Sequence, residues 1–171
     1  MKHSTTILSI LGIALLGASI GSAVANDKRD RQEVVRAFLL GVNETPSIST
    51  PASGRLRAVI DEDSGLITFT LSYQNLTTPP AVAHIHFGER HTAGGVMVFL
   101  CGGGGQPACP PSPAEITGSI TAENVVGPAA QGITAGEFAK VLAAIRAGAS
   151  YANVHTATFP AGEIRGQLHH R

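Results

Sequence analysis

The sequence predicts an all-β domain with one short helix, folded as an antiparallel, Greek-key-like β-sandwich. About seven or eight short apolar or alternating segments are separated by turn-forming residues, and only one stretch has helical periodicity. A composition of 43% hydrophobic and 14% charged residues disfavours disorder of the whole chain. The 12 basic residues balance the 12 acidic ones and form no basic run, so nucleic-acid binding is not expected.

Residues 1–25 have the pattern of a cleavable secretory signal peptide. Lys2 precedes an apolar stretch from Ile7 to Ile20, and the small residues at 23–25 fit a cleavage site. The apolar stretch is shorter than the roughly 18–20 residues that a membrane-spanning helix needs. We therefore expect a protein exported to the periplasm or beyond, without a membrane span, in which residues 26–33 are flexible and residues 34–171 form the folded domain.

Strand-like segments then follow one another along the chain. The clearest is a hairpin in which residues 55–60 and 67–74 alternate between apolar and polar side chains around the turn DEDSG. A period of two indicates that one face of each strand is buried and the other faces water. The other predicted strands are Val34–Val42, Ala81–Phe87, Gly95–Leu100, Glu115–Thr121, Ser150–Thr156 and Glu163–His169.

The single helical segment lies between the last two groups of strands. Thr134 and Glu137 have the spacing of a capping box, and apolar residues at 138, 141, 142 and 145 fall on one helical face. Gly148 occupies the position of a helix stop. We interpret this helix as an element that covers the sheet.

The two cysteines predict one disulfide bond. Cys101 and Cys109 flank the glycine-rich segment GGGGQPA, and in an oxidising compartment two closely spaced cysteines pair by default. Closing a loop of this size stabilises the fold by roughly 2.6 kcal/mol in the chain-entropy estimate. A cysteine metal site or redox pair is disfavoured, because C-x-x-C spacing and further ligands are missing.

His84 and His86 are the most informative polar pair. Positions i and i+2 of a strand project to the same face, so the two imidazoles point the same way. His155 lies at the end of another predicted strand and supplies a third nitrogen if the two strands are neighbours. Three neutral imidazoles with an open position suit copper or zinc. The alternative is that these histidines are half-buried structural residues, because H-x-H alone is a weak signal.

Other polar residues are candidates for supporting the histidines. A metal-binding histidine usually donates its second ring N–H to a carboxylate or a carbonyl, for which Glu163, Glu44 and Glu89 are candidates. Glu163 and Arg165 share a strand face, and Asn153 shares the face of His155. We expect Glu163, Arg165 and Asn153 to support the ligands or to form a recognition surface. The alternative is a structural polar network that orders two strands.

Several segments resemble the CHRD domain, which is named from chordin and is widespread in exported microbial proteins. They include AVAHIHFG, SYANVHT and FPAGEIRGQL, and the likeness covers about residues 38–168. The resemblance implies an antiparallel β-sandwich of poorly defined activity; in chordin these domains belong to a protein that binds growth factors. AHIHFGE is also similar, more weakly, to the copper-binding strand of Cu/Zn superoxide dismutase, which implies copper ligands at His84, His86 and His155. The zinc loop of that family has no convincing counterpart here.

The sequence leaves three classes of function open. The first is an exported CHRD-domain binding protein with a copper or zinc site on the three histidines. The second is a metal-free module that binds a protein or a polysaccharide. The third is a redox or hydrolytic metalloenzyme of superoxide-dismutase-like type, which requires an open coordination position. The sequence favours the first and does not decide whether the protein is an enzyme.

Overall fold

The structure is a computed structural model that describes Met1 and residues 32–170. The predicted signal peptide after Met1 and most of the predicted flexible segment lie outside the described residues. No helix in the described part of the chain has the length and apolar character needed to span a bilayer. The elements are β1 Glu33–Leu40, β2 Ser53–Asp61, β3 Leu66–Gln74, β4 Pro80–Phe87, β5 Gly95–Cys101, β6 Ala114–Ile120, α1 Phe138–Arg146, β7 Ser150–Thr156, β8 Ile164–Gln167 and β9 His169–His170.

The predicted fold class, all-β with one short helix, is confirmed, and the paired strands are antiparallel. The strands form one sheet in the order β5-β4-β7-β8-β1-β2-β3-β6, and β9 pairs with β1. β3 and β6 are neighbours although they are not consecutive, as are β4 and β7, which is the connectivity of a Greek key. Val98 of β5 forms an isolated bridge to Val125, just after β6, so the two ends of the sheet approach each other.

The core lies between the two halves of this curved sheet. β1, β2, β3 and β6 supply one side of the core, and β4, β5, β7 and β8 supply the other. Leu39, Leu71, Ile85 and Ile164 are among the fully buried side chains, each worth about 1.5–3 kcal/mol when removed from water. α1 adds its apolar face to the same cluster, as its periodicity predicts.

The helix begins later than the sequence predicts. Gly136 has φ of +84°, a left-handed conformation that cannot continue a helix, and α1 starts at Phe138. The predicted capping pair still interacts: the main-chain N–H of Thr134 donates to Glu137 Oε2 over 2.7 Å. This pair therefore closes the turn before the helix rather than the first turn of the helix itself.

The boundaries of β1 and of the last predicted strand also differ from the predicted ones, while the predicted disulfide is present. β1 ends at Leu40 and a short 3-10 turn follows at Gly41–Asn43. The last predicted strand is divided at Leu168 into β8 and β9, and both halves pair with β1. Cys101 and Cys109 are bonded, with their Cα atoms 5.0 Å apart.

The outward faces of the two halves of the sheet have different surroundings. On β7 and β8 the outward side chains of Asn153 and Arg165 are buried, because Glu44 and the loop at 89–92 lie over them. On β1 and β2 the outward side chains of Phe38, Arg55 and Arg57 are exposed. The first half therefore carries a covered polar layer, and the second half an open face.

Candidate metal centre

The predicted histidine cluster forms because β4 and β7 are neighbours. Their antiparallel register places His84 opposite Asn153 and Val82 opposite His155, so His84 and His155 are diagonal neighbours on the same outward face. Ala83 and Ile85 point to the other side, into the core, as the alternation predicts. The ligand nitrogens of His84, His86 and His155 all lie within 4.8 Å of one another.

Main-chain carbonyls orient two of the three rings. His86 Nδ1 lies 2.9 Å from the carbonyl oxygen of Gly94, and His155 Nδ1 lies 3.0 Å from that of Pro160. A carbonyl oxygen only accepts, so in both rings Nδ1 carries the proton and a neutral ring leaves a lone pair on Nε2. His155 Nε2 lies 3.2 Å from His84 Nδ1, which donates to it when both rings are neutral.

Aromatic side chains surround the imidazoles. The Phe99 ring meets His84 edge-on with the centroids 4.5 Å apart, and the Tyr151 ring stacks in parallel on His86 at 4.7 Å. The guanidinium carbon of Arg165 lies over the Tyr151 ring, 3.4 Å from its centroid. These contacts fix the ring planes of His84 and His86 through packing.

Burial keeps the imidazoles neutral near pH 7. Loss of solvation, reinforced by the neighbouring His155 and His86 rings, lowers the pKa of His84 to about 3. Loss of solvation also lowers the pKa of His86 to about 4, against the opposing effect of its bond to Gly94. The pKa of His155 is lowered for the same main reason. Neutral imidazole is the form that binds a metal ion.

Glu163, a predicted partner of the histidines, binds hydroxyls and an amide instead. Its carboxylate accepts from the hydroxyls of Thr50, Thr77 and Thr156 and from the main-chain N–H of Thr77, over 2.8–3.3 Å. Within the described residues the ring N–H groups of His86 and His155 are taken by carbonyls, so no carboxylate fills the role considered for Glu163, Glu44 or Glu89. Through these hydrogen bonds Glu163 links β7 to the loop between β3 and β4 and to the loop after β1.

Asn153 and Arg165 tie loops to the same face of the sheet. The Asn153 amide donates to Glu44 Oε1 over 2.6 Å and to the carbonyl of Ile164 over 3.1 Å. Arg165 donates to the carbonyls of Glu89 and Thr92 over 3.0 and 2.7 Å, which holds the loop that carries Gly94. Arg165 therefore supports His86 in two ways: it holds the loop whose Gly94 carbonyl binds His86, and it packs on the Tyr151 ring that stacks on His86. Asn153 lies beside the cluster.

One atom of the cluster has an unmet bonding capacity. His86 Nε2 is buried and, with Ser150 Oγ, is one of the two described buried polar side-chain atoms that lack a hydrogen-bond partner. Leaving such an acceptor unsatisfied costs about 1–3 kcal/mol. A cation between the three rings would take up this lone pair together with that of His155 Nε2, and His84 Nδ1 would become a third donor once its proton moves to Nε2. The donor set therefore fits a transition metal that prefers imidazole.

The sequence did not identify the residues that complete the site. Gly94 supplies the carbonyl for His86, and it is a glycine because a Cβ there would overlap the main-chain oxygen of Phe87. Phe99 comes from β5, whose pairing with β4 has two register shifts that no sequence pattern signals. Tyr151 was detectable, since it shares a strand face with His155 at a spacing of four.

One comparison with known proteins identifies a family for this chain. The family model described as the CHRD domain matches residues 35–168, a range that includes both histidine strands and β8. No curated protein and no solved structure matches the chain. The weaker likeness to Cu/Zn superoxide dismutase thus has no support from these comparisons. Because the family model covers most of the chain, this protein belongs to the CHRD-domain family.

Proposed function

We propose that this protein is an exported CHRD-domain binding protein that holds a transition-metal ion, copper first and zinc second, on His84, His86 and His155. The observation that carries the proposal is the buried, unpartnered Nε2 of His86, which belongs to a cluster of three imidazoles that burial keeps neutral. A purely structural histidine triad would gain by satisfying this atom with a protein donor.

The spacing of the nitrogens supports a metal ion of this size. Two ligands at about 2.0–2.1 Å from a tetrahedral ion lie about 3.3–3.4 Å apart. His84 Nδ1 and His155 Nε2 are already 3.2 Å apart, and one ring nitrogen from each of the three histidines lies within 4.8 Å of the other two. Binding therefore requires a modest approach of His86 rather than a rearrangement of the strands.

One proton must move when the cation binds. His86 and His155 already present lone pairs at Nε2, because their Nδ1 protons are donated to Gly94 and Pro160. His84 Nδ1 must give up the proton that it shares with His155, so His84 changes to the Nε2-protonated form. Three imidazole donors leave at least one coordination position for a further ligand, and copper outcompetes zinc for such donors.

Export is part of the proposal and rests on separate observations. The N-terminal sequence has the pattern of a signal peptide, and the Cys101–Cys109 disulfide is of the kind that persists in oxidising compartments. A copper site on an exported domain would act in metal binding or delivery, and the described residues offer no carboxylate within the cluster for general base catalysis.

Metal titration of the untagged protein tests the site. We expect one equivalent of Cu²⁺ to bind the chelator-treated protein, with a three-nitrogen signature in its electron paramagnetic resonance spectrum. We expect His84→Ala/His86→Ala to lower the affinity at least about a hundredfold, because each lost imidazole removes a direct ligand. His155→Ala, at the most exposed of the three positions, is a second variant that is easier to fold.

The matched control is His169→Ala/His170→Ala, which removes two exposed histidines outside the cluster. This control should bind Cu²⁺ as the parent does. Equal affinity in the parent and in both cluster variants would show that the site is wrong. A loss confined to the control would mean that the metal binds at the C-terminal histidines.

A further inference from the structure

The lysines and arginines of residues 32–170 fall into two groups. Lys140 pairs with Glu137, Arg146 pairs with Glu33 and Glu62, and Arg165 is buried against carbonyls and Tyr151. The other group has no acidic partner within the described residues and lies around the open face of β1 and β2. It consists of Arg36, Arg55, Arg57 and Arg90.

The strand register brings these cations into direct opposition. Arg36 of β1 lies opposite Arg57 of β2 on one side and opposite His169 of β9 on the other. Arg90 approaches the same row, with its Nη2 3.0 Å from His169 Nε2. Like charges directly opposite each other destabilise a sheet, so this row has an energetic cost that an anionic ligand would offset.

Acidic residues are few on this face. At outward positions of β1, β2, β3 and β6, the described acids are Asp61 and Glu115. Asp61 ends β2 and accepts from the main-chain N–H of Ser64, in the hairpin turn. Glu115 lies on the edge strand β6, opposite Ser72, which in turn lies opposite Arg55. The region around Arg36 and Arg57 therefore stays cationic.

The same face offers an exposed ring and rows of hydroxyl groups. Phe38 is 62% exposed, and the guanidinium of Arg55 lies 5.2 Å from its ring centroid. Phe38 belongs to two recesses, one with Arg36, His169 and His170 and the other with Arg55, Ser53, Ser72 and Gln74. A third recess next to them is lined by Arg57, Thr68, Thr70, Thr117 and Ser119.

We propose that this open face, defined by Arg36, Phe38, Arg55 and Arg57, binds an anionic polysaccharide. Arginine forks match carboxylate and sulfate groups, the exposed ring stacks on the apolar side of a sugar, and the threonine and serine hydroxyls pair with sugar hydroxyls. Together the three recesses cover parts of β9, β1, β2, β3 and β6, which suits an extended chain of several sugars rather than a compact ion.

The open face lies on other strands than the histidine cluster, and binding there does not require a metal. Phe38 and Arg55 lie on β1 and β2, whereas the histidines lie on β4 and β7, on the far side of β8 in the sheet order. Polysaccharide binding should therefore be the same in the chelator-treated protein and in His84→Ala/His86→Ala. Failure of one proposal leaves the other testable.

The test measures binding of the full chain to heparin and to alginate oligosaccharides by calorimetry, with dextran as the neutral polymer. We expect binding to heparin and alginate, none to dextran, and a marked weakening between about 50 and 300 mM NaCl, since exposed charges are screened by salt. Arg36→Gln/Arg57→Gln should weaken binding about tenfold or more. Phe38→Ala should weaken it several-fold without changing the salt dependence.

The matched control is Lys140→Gln/Arg146→Gln, which also removes two positive charges, but from exposed residues that form salt bridges with glutamates. This variant should bind heparin as the parent does. Equal weakening by both double variants would overturn the proposal, because net charge alone would then explain binding. The proposal would also be overturned if the protein bound phosphatidylserine vesicles or polyglutamate more tightly than either polysaccharide and if this binding depended on Arg36 and Arg57.

Discussion

Glu163 is a carboxylate that is fully buried without a cation beside it in the described part of the chain. Its two oxygens accept hydrogen bonds from four donor groups, three threonine hydroxyls and one main-chain N–H, which come from three separate segments. Charge-assisted bonds of this kind are roughly twice as strong as neutral ones. Glu163 therefore fixes the geometry of the loops around β7 although it touches no imidazole.

We expect Glu163→Gln to lower the free energy of unfolding by about 2–4 kcal/mol, because an amide would direct a donor group at hydroxyls that now donate. Urea unfolding of the chelator-treated protein measures this change. Glu115→Gln, at an exposed position of β6, should change stability by less than about 0.5 kcal/mol. Similar small effects of both substitutions would mean that the Glu163 network contributes little.

Glu44 is a buried acid of a different kind. Burial is the main cause that raises its pKa to about 7, although the hydrogen bond from Asn153 and the charge of Arg165 oppose the shift. The folded state therefore holds a proton that the unfolded state, with a pKa near 4.5, has already lost. This group makes the fold less stable as the pH rises from about 4.5 through 7.

We expect Glu44→Gln to remove that contribution. The stability of the parent relative to the variant should fall between about pH 5 and pH 8, whereas below about pH 4.5 the difference should no longer change with pH. Comparing the two chelator-treated proteins by urea unfolding at each pH cancels the titration of the histidines, which both contain. A difference that is constant from pH 5 to pH 8 would contradict the assigned burial effect.

At the scale of elements, the disulfide loop supports one wall of the histidine cluster. Gly103 and Gly104 lie against the Phe99 ring, where a Cβ at either position would come about 2.5 Å from ring carbons. Phe99 in turn packs edge-on against His84. The glycines of this segment thus serve close packing, in addition to the turn that closes the loop.

We expect Cys101→Ala/Cys109→Ala to lower the free energy of unfolding by about 2–3 kcal/mol, because the unfolded chain has more conformational entropy without the cross-link. Guanidinium unfolding of the double variant measures the loss. Gln106→Ala is the matched control: it removes the hydrogen bond from Gln106 to the carbonyl of Ser119 but leaves the covalent bond intact. A loss in the double variant no larger than in this control would show that the loop is held by packing alone.

At the scale of the whole molecule, the proposed metal would link β4 to β7, which are neighbours in the folded state. Each histidine strand contributes to the core on its other face, through Ile85 and Val154 among others. The unfolded chain has no preformed cluster, so metal binding stabilises the fold through mass action.

We expect Cu²⁺ or Zn²⁺ at about 100 times its dissociation constant to raise the free energy of unfolding by about 2.7 kcal/mol. Thermal unfolding with and without the metal checks this, and His84→Ala/His86→Ala should abolish the increase. His84→Ala should also lower the free energy of unfolding less in the presence of a chelator than in the presence of the metal. An equal cost under both conditions would favour the alternative of metal-free structural histidines.

Much of the architecture was determined by the sequence. Alternation with a period of two placed the hairpin of β2 and β3, the apolar face of α1 followed from its spacing, and the cysteine pair followed from its separation. The same period placed His84 and His86 on one face. These are local rules, because backbone geometry fixes where neighbouring side chains point.

Tertiary structure alone decided which strands became neighbours and which loops covered them. The pairing of β4 with β7 brought His155 to His84 across 71 positions of sequence, and the carbonyls of Gly94 and Pro160 then set the ring tautomers. The pairing of β1 with β2 and β9 likewise placed Arg36 between Arg57 and His169. Such contacts depend on the packing of the whole core, and no short pattern encodes the register between distant strands.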